Sequence, residues 1–165
     1  MNLYLLRHAI AVERGTEGYE DDSMRPLTGK GEKKMRRIAL GMKSLELAFD
    51  VILSSPYERA KRTADIVAEE FGMKVLFSDH LASGGDAKAL IDTINRDHAG
   101  VESILLVGHE PDLSSLASRL LAGDDHLAVT MKKGGLCKLS VETLRPGRCA
   151  SLEFLLAPAQ LTRIS

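Results

Sequence analysis

Tryptophan is absent from this chain, and aromatic residues together make up only 4% of it. A platform of stacked rings for single-stranded nucleic acid therefore has no material. Cysteine occurs twice, at Cys137 and Cys149, too few for a disulfide framework or a four-cysteine zinc site. No apolar run approaches the ~18 residues that a membrane helix requires. Neither sign of charge dominates: 22 Lys and Arg stand against 23 Asp and Glu, for a formal net charge of −1. That balance lacks the basic surplus expected of a nonspecific nucleic-acid binder. Arg7 and Glu13 interrupt the one early apolar stretch, and no basic segment precedes it, so no secretory signal is expected. These absences lead us to expect a cytoplasmic protein with reduced thiols and neither nucleic acid nor membrane as partner.

What is present fits one domain over residues 1–165, with 44% apolar residues to build its core. Asn2–Leu6 is a continuous apolar run of the kind a buried parallel strand shows. After a polar, acidic stretch over 15–24, Thr28 is the expected N-cap of a helix. Met35, Ile38, Ala39, Met42 and Leu45 form the apolar face of that helix. FDVILSSP (49–56) predicts a second strand, and RAKRTADIVAEEFG (59–72) a helix closed by Gly72. A short strand KVLF, a helix over AKALIDTINRD, a strand SILLVG and a helix LSSLASRLLAG follow. Strand then follows strand, in GLCKLSVE and ASLEFLLA, with LRPGRC as their turn. The expected class is α/β: a three-layer α/β/α domain with a mostly parallel central sheet and an antiparallel edge strand.

In open α/β sheets, ligands bind beyond the carboxyl ends of the strands. Three such ends are chemically loaded here. The first delivers Arg7 and His8. The second delivers Ser54 and Ser55, with Arg59 opening the next helix. The fourth strand delivers Gly108, His109 and Glu110. Arginine is not a metal ligand, and no close set of carboxylate, His or Cys supports a zinc or magnesium site, so no metal or other cofactor is expected. The chain has no GxSxG elbow, no GxGxxG after its first strand and no GxxxxGK[ST], which argues against a serine hydrolase or a nucleotide fold. Two Arg and two His suit a tetrahedral phosphoryl dianion, which a guanidinium fork grips well. An imidazole beside such cations is kept neutral and can attack phosphorus. His8 is the expected nucleophile, with Arg7, Arg59 and His109 holding the phosphoryl oxygens.

At LLRHA (5–9), SSPYERAKRTA (54–64) and LLVGHEP (105–111) the chain resembles the histidine phosphatase superfamily, the phosphoglycerate-mutase-like fold. The resemblance spans nearly the whole chain in the right order. It implies a phosphorylated His8 intermediate and a phosphate pocket of Arg7, Arg59 and His109. Two departures stand out. Ala9 replaces the glycine of the commonest Arg-His-Gly motif. The region after the third strand reads LASGGD, without the Glu that larger members use as general acid. The long inserted cap of the mutases is missing as well. These features, with RPLTGKG at 25–31, resemble the small SixA-type phosphohistidine phosphatases.

The resemblance therefore implies hydrolysis of phosphohistidine on a protein such as a phosphorelay or phosphotransfer domain, and the lack of a surplus apolar stripe leads us to expect a monomer. An imidazole leaving group takes its proton from solvent and needs little help from a dedicated acid. If Asp86 or Glu110 supplies an acid instead, small phosphomonoesters are substrates too. A noncatalytic phosphohistidine-binding regulator is the remaining alternative. Arg25 is expected to extend the basic rim toward substrate. The charge run Lys33, Lys34, Arg36 and Arg37 reads as a solvated helix face. His80, His98 and His126 read as surface or loop residues.

Overall fold

The computed structural model describes residues 1–165. Six strands form one sheet: β1 Asn2–Arg7, β2 Val51–Ser54, β3 Val75–Phe77, β4 Ser103–Gly108, β5 Leu136–Val141 and β6 Ala150–Leu156. Their order across the sheet is β3-β2-β4-β1-β5-β6. β1 to β4 run parallel, and β5 pairs antiparallel with both β1 and β6. The helices are α1 Gly29–Ser44, α2 Glu58–Phe71, α3 Ala87–Asp97, α4 Asp112–Ala122 and a single turn, α5, at Pro158–Leu161.

Alternation along β1 divides the core between the two sheet faces. Tyr4 and Leu6 pack with Met35, Ile38, Ala64 and Val67 of α1 and α2. Leu3 and Leu5 pack with Leu90, Ile94, Leu113 and Leu116 of α3 and α4. Strands flanked by helices on both faces cannot show one polar side, which is why β4 is buried along its whole length. The three-layer α/β/α class stands.

The helix starts and stops follow local chemistry. Thr28 Oγ1 accepts the backbone N–H of Gly31 and caps α1. Asp86 caps α3 through Ala89 N–H. α2 and α4 end at Gly72 and Gly123, both in the left-handed region that glycine adopts without strain. Leu45, expected on the α1 apolar face, is the residue after the helix and is exposed. Both thiols are free, and burial pushes that of Cys137 up to about 11. No helix is long and apolar enough to cross a membrane.

Candidate active site

The sheet register brings the three loaded strand ends together. Arg7 on β1 lies opposite Gly108 on β4, and Ser54 on β2 lies opposite Val107. Ladder-like bonds continue one residue further: His8 N–H donates to Gly108 O, and Ser55 N–H to Val107 O. His8 and His109 thereby become neighbours across adjacent strands, with ring centroids 5.2 Å apart. Both are buried, as is Arg59.

Each side chain is held from behind. The His8 ring places Nδ1 2.7 Å from Ala9 O. A carbonyl can only accept, so Nδ1 carries the hydrogen and Nε2 keeps its lone pair. Ala9 N–H in turn donates to Thr63 Oγ1, whose hydroxyl donates to Arg59 O. One threonine thus links the His8 turn to the start of α2. Ser55 Oγ accepts Tyr57 N–H and lies 2.8 Å from His109 Nε2. His109 Nε2 is the one acceptor within reach of the Ser55 hydroxyl hydrogen, and with that bond made the His109 hydrogen sits on Nδ1. The Tyr57 ring packs 5.1 Å from the His109 ring, with the Arg59 guanidinium 5.2 Å from its centroid. Arg7 donates through one terminal nitrogen to Met131 O.

Three buried polar atoms are left without a protein partner: Arg7 Nε, Arg59 Nε and His109 Nδ1. All three belong to the residues expected to hold a phosphoryl group. Buried donors are nearly always paired in folded proteins, so these three atoms are the candidates for contacts to a ligand. Both imidazoles are neutral at pH 7. Burial, reinforced by the charges of His109, Arg59 and Arg7, pushes His8 down to about 3, against the opposing bond to Ala9 O. Burial and the Arg59 charge push His109 down to about 4, with Asp22 opposing. No three His, Cys, Asp or Glu residues come together as metal ligands.

Asp22, which sequence reasoning missed, organises the cationic side. Arg59 donates to its carboxylate at 2.9 Å and to its backbone oxygen at 2.7 Å. Arg25 donates to the same carboxylate at 2.8 Å, and Arg14 approaches it at 3.3 Å. Burial alone would raise the Asp22 pKa, but the bonds from Arg25 and Arg59 outweigh it and hold it at about 2. Arg25 is buried and also donates to Val12 O. It meets the cluster through Asp22.

The two candidate acids are occupied elsewhere. Asp86 Oδ1 caps α3, and that backbone bond lowers its pKa. Glu110 Oε1 accepts Ser114 N–H in the first turn of α4. Neither makes a hydrogen bond to any residue of the cluster. His80 departs from the surface reading: it is half-buried and lines a cleft with His109, Leu81, Leu113 and Arg119.

The model of the histidine phosphatase superfamily (branch 1) matches residues 3–83, a span that includes Arg7, His8, Asp22 and Arg59. The chain belongs to the histidine phosphatase superfamily. An uncharacterized protein of Picosynechococcus is 37% identical over 84% of each chain. The probable phosphoglycerate mutase GpmB of Salmonella paratyphi A is 30% identical over 75% of this chain and 55% of its own length. The chain thus spans about half the length of the mutase relatives it matches. The protein histidine phosphatase SixA, solved with tungstate, superposes with a TM-score of 0.82 at 22% identity, covering 98% of this chain and 99% of SixA. The alpha-ribazole phosphatase of Shigella flexneri gives 0.74 at 18% identity, over 96% and 97% of the two chains. The SixA and alpha-ribazole phosphatase superpositions show that this superfamily member shares their fold.

Proposed function

We propose that the protein is a phosphohistidine phosphatase acting on another protein, and that His8 is its nucleophile. The observation that carries this reading is the trio of orphaned buried donors beside a neutral imidazole whose Nε2 lone pair is free. In the first step His8 Nε2 attacks phosphorus as the P–N bond of the substrate breaks. The phosphoryl group moves to His8, and the substrate imidazole leaves with a proton from solvent. Water then attacks phospho-His8, its proton passing to solvent, and inorganic phosphate and free His8 result. Arg7, Arg59 and His109 stabilise the equatorial oxygens through the transferring state. SixA was solved with tungstate, a tetrahedral oxyanion like phosphate, which is in keeping with an anion seat in this fold.

The substrate class rests on the carboxylates. An alkoxide leaving group needs a proton donor, whereas an imidazole does not depend on a dedicated one. With Asp86 and Glu110 tied to helix starts, the site suits the P–N bond. One observation favours a second reading. Half-buried His80 shares a cleft with His109 and could protonate an ester oxygen, which would admit small phosphomonoesters. A panel of a phosphohistidine protein, a sugar phosphate and p-nitrophenyl phosphate separates the two. The proposal expects the highest kcat/KM on the phosphoprotein; a clear preference for the esters overturns it. Absence of all turnover, with retained phosphate binding, would favour a regulator without catalysis.

A further inference from the structure

We propose that one face of α1, the helix that packs beside the His8 rim, docks an acidic segment of the phosphoprotein; this rests on the substrate class proposed above. Lys30, Lys33, Lys34 and Arg37 recur at the i, i+3, i+4, i+7 spacing of a single helix face. Together with Thr162 they line one surface depression that contains no carboxylate. None of the four enters an ion pair, and Arg37 reaches only Thr162 O. Arg36 on the same helix is treated differently: it pairs with Glu69 on α2, and Arg62 joins both Glu32 and Glu69.

This arrangement works against the helix that carries it. Lys30 with Lys34, and Lys33 with Arg37, are like-charge i, i+4 pairs, which destabilise a helix. Lys30 and Lys33 also lie near the α1 N-terminus, where the macrodipole disfavours cations. Glu32 in the first turn and the Thr28 cap offset part of the dipole term, but none of the four basic residues has a carboxylate partner, and a partner supplying negative charge would relieve their repulsion.

The helix that carries this face packs beside the active site through its N-cap and its buried side. Thr28 N–H donates to Ile10 O, just past His8. Gly31 packs so tightly on Ile10 O that no Cβ would fit there. Gly134 N–H donates to Arg7 O and His8 O, while Gly134 itself sits against Ile38 of α1. The exposed Lys132 and Lys133, which enter no ion pair, immediately precede this glycine. Across His109 the cleft is not basic overall, because Arg119 there is paired with Asp125 and Asp112 adds a negative charge. Unpaired positive charge thus lies on the α1 side and not in the His109 cleft, which suits a partner acidic on one side of its phosphohistidine.

The test uses three synthetic phosphohistidine peptides with acidic, glutamine or lysine flanks, and the variant K33E/K34E beside the wild type. In low salt the wild type is expected to favour the acidic over the lysine peptide by about tenfold in kcat/KM, the scale of electrostatic steering. That preference should collapse in 0.5 M salt, where the Debye length is only a few Å. K33E/K34E should lose it without losing turnover of the glutamine peptide, and its Tm should hold or rise as the helix is relieved. Fluorescence anisotropy with the unphosphorylated acidic peptide reads docking independently of the chemistry: K33E/K34E should bind about tenfold more weakly than wild type. Equal handling of all three peptides, or equal binding by both proteins, overturns the docking face. Binding as expected without turnover of any peptide supports the docking face and overturns the substrate class instead.

Discussion

The rim at the ends of β1, β2 and β4 and the adjacent starts of α3 and α4 place ionisable groups under opposite rules. At the helix starts every relevant carboxylate has a backbone partner: Asp86 caps Ala89, Glu110 takes Ser114, and Asp112 takes Gly84. At the rim, buried donors of Arg7, Arg59 and His109 have none. Capping is worth about 1 kcal/mol of stability per helix, whereas leaving a buried donor unpaired costs about 1–3 kcal/mol. The rim is thus the less stable arrangement when empty. That difference marks it as a place shaped for a ligand, and the helix starts as scaffold.

The contrast breaks most severely if His8 is removed. His8→Ala is expected to lower turnover by on the order of 10⁴-fold or more, the loss typical of a removed nucleophile, read by phosphate release. Arg59→Ala should follow, costing roughly 10²–10³ in kcat, the scale of one oriented transition-state donor. Asp22→Asn sharpens the comparison, because Asp22 aims Arg59 without a place in the orphan trio. About a tenfold fall in kcat/KM is expected from the loosened guanidinium. A positioning role also predicts that the His109 pKa falls further once the opposing Asp22 charge is gone, which NMR of the ring would register. At the scaffold end, Asp86→Ala should cost about 1 kcal/mol of stability and change kcat on phosphohistidine by less than about twofold. A loss in kcat as large as that of Arg59→Ala would turn Asp86 into a catalytic acid and undo the contrast.

The same difference has a pH signature. Unfolded, His8 and His109 titrate near 6.5; folded, near 3 and 4. Between those values the unfolded chain binds more protons, so acid drives unfolding. The stability is fully present above about pH 6.5 and is lost as pH falls through about 4 toward about 3. Urea denaturation across that window should show the decline, and His8→Asn should flatten part of it.

Much of this was legible in the primary sequence, for identifiable reasons. Thr28 and Gly72 announced helix boundaries because capping is local chemistry. Arg7-His8, Arg59 and Gly108-His109 announced the rim because each follows a strand end or opens a helix, and parallel strands align such ends. Asp22 was not legible. It sits among Glu13, Glu17, Glu20 and Asp21 in an acidic stretch without periodicity, and only the chain's return over α2 selects it. Thr63 carried a faint clue, four residues after Arg59 on the same helix face. His80 offered none, since its neighbours in the cleft come from α3 and α4. The α1 lysines were visible as charge, but their lack of partners is a three-dimensional fact.

The central claim is that a neutral His8 takes the phosphoryl group inside a cup of cationic donors. Rapid quenching at alkaline pH during turnover of a radiolabelled phosphohistidine protein, followed by peptide mapping, tests it most directly. The account predicts an acid-labile, base-stable label on the peptide containing His8, absent from His8→Ala. Full turnover with no label at His8, or undiminished turnover by His8→Ala, would contradict it.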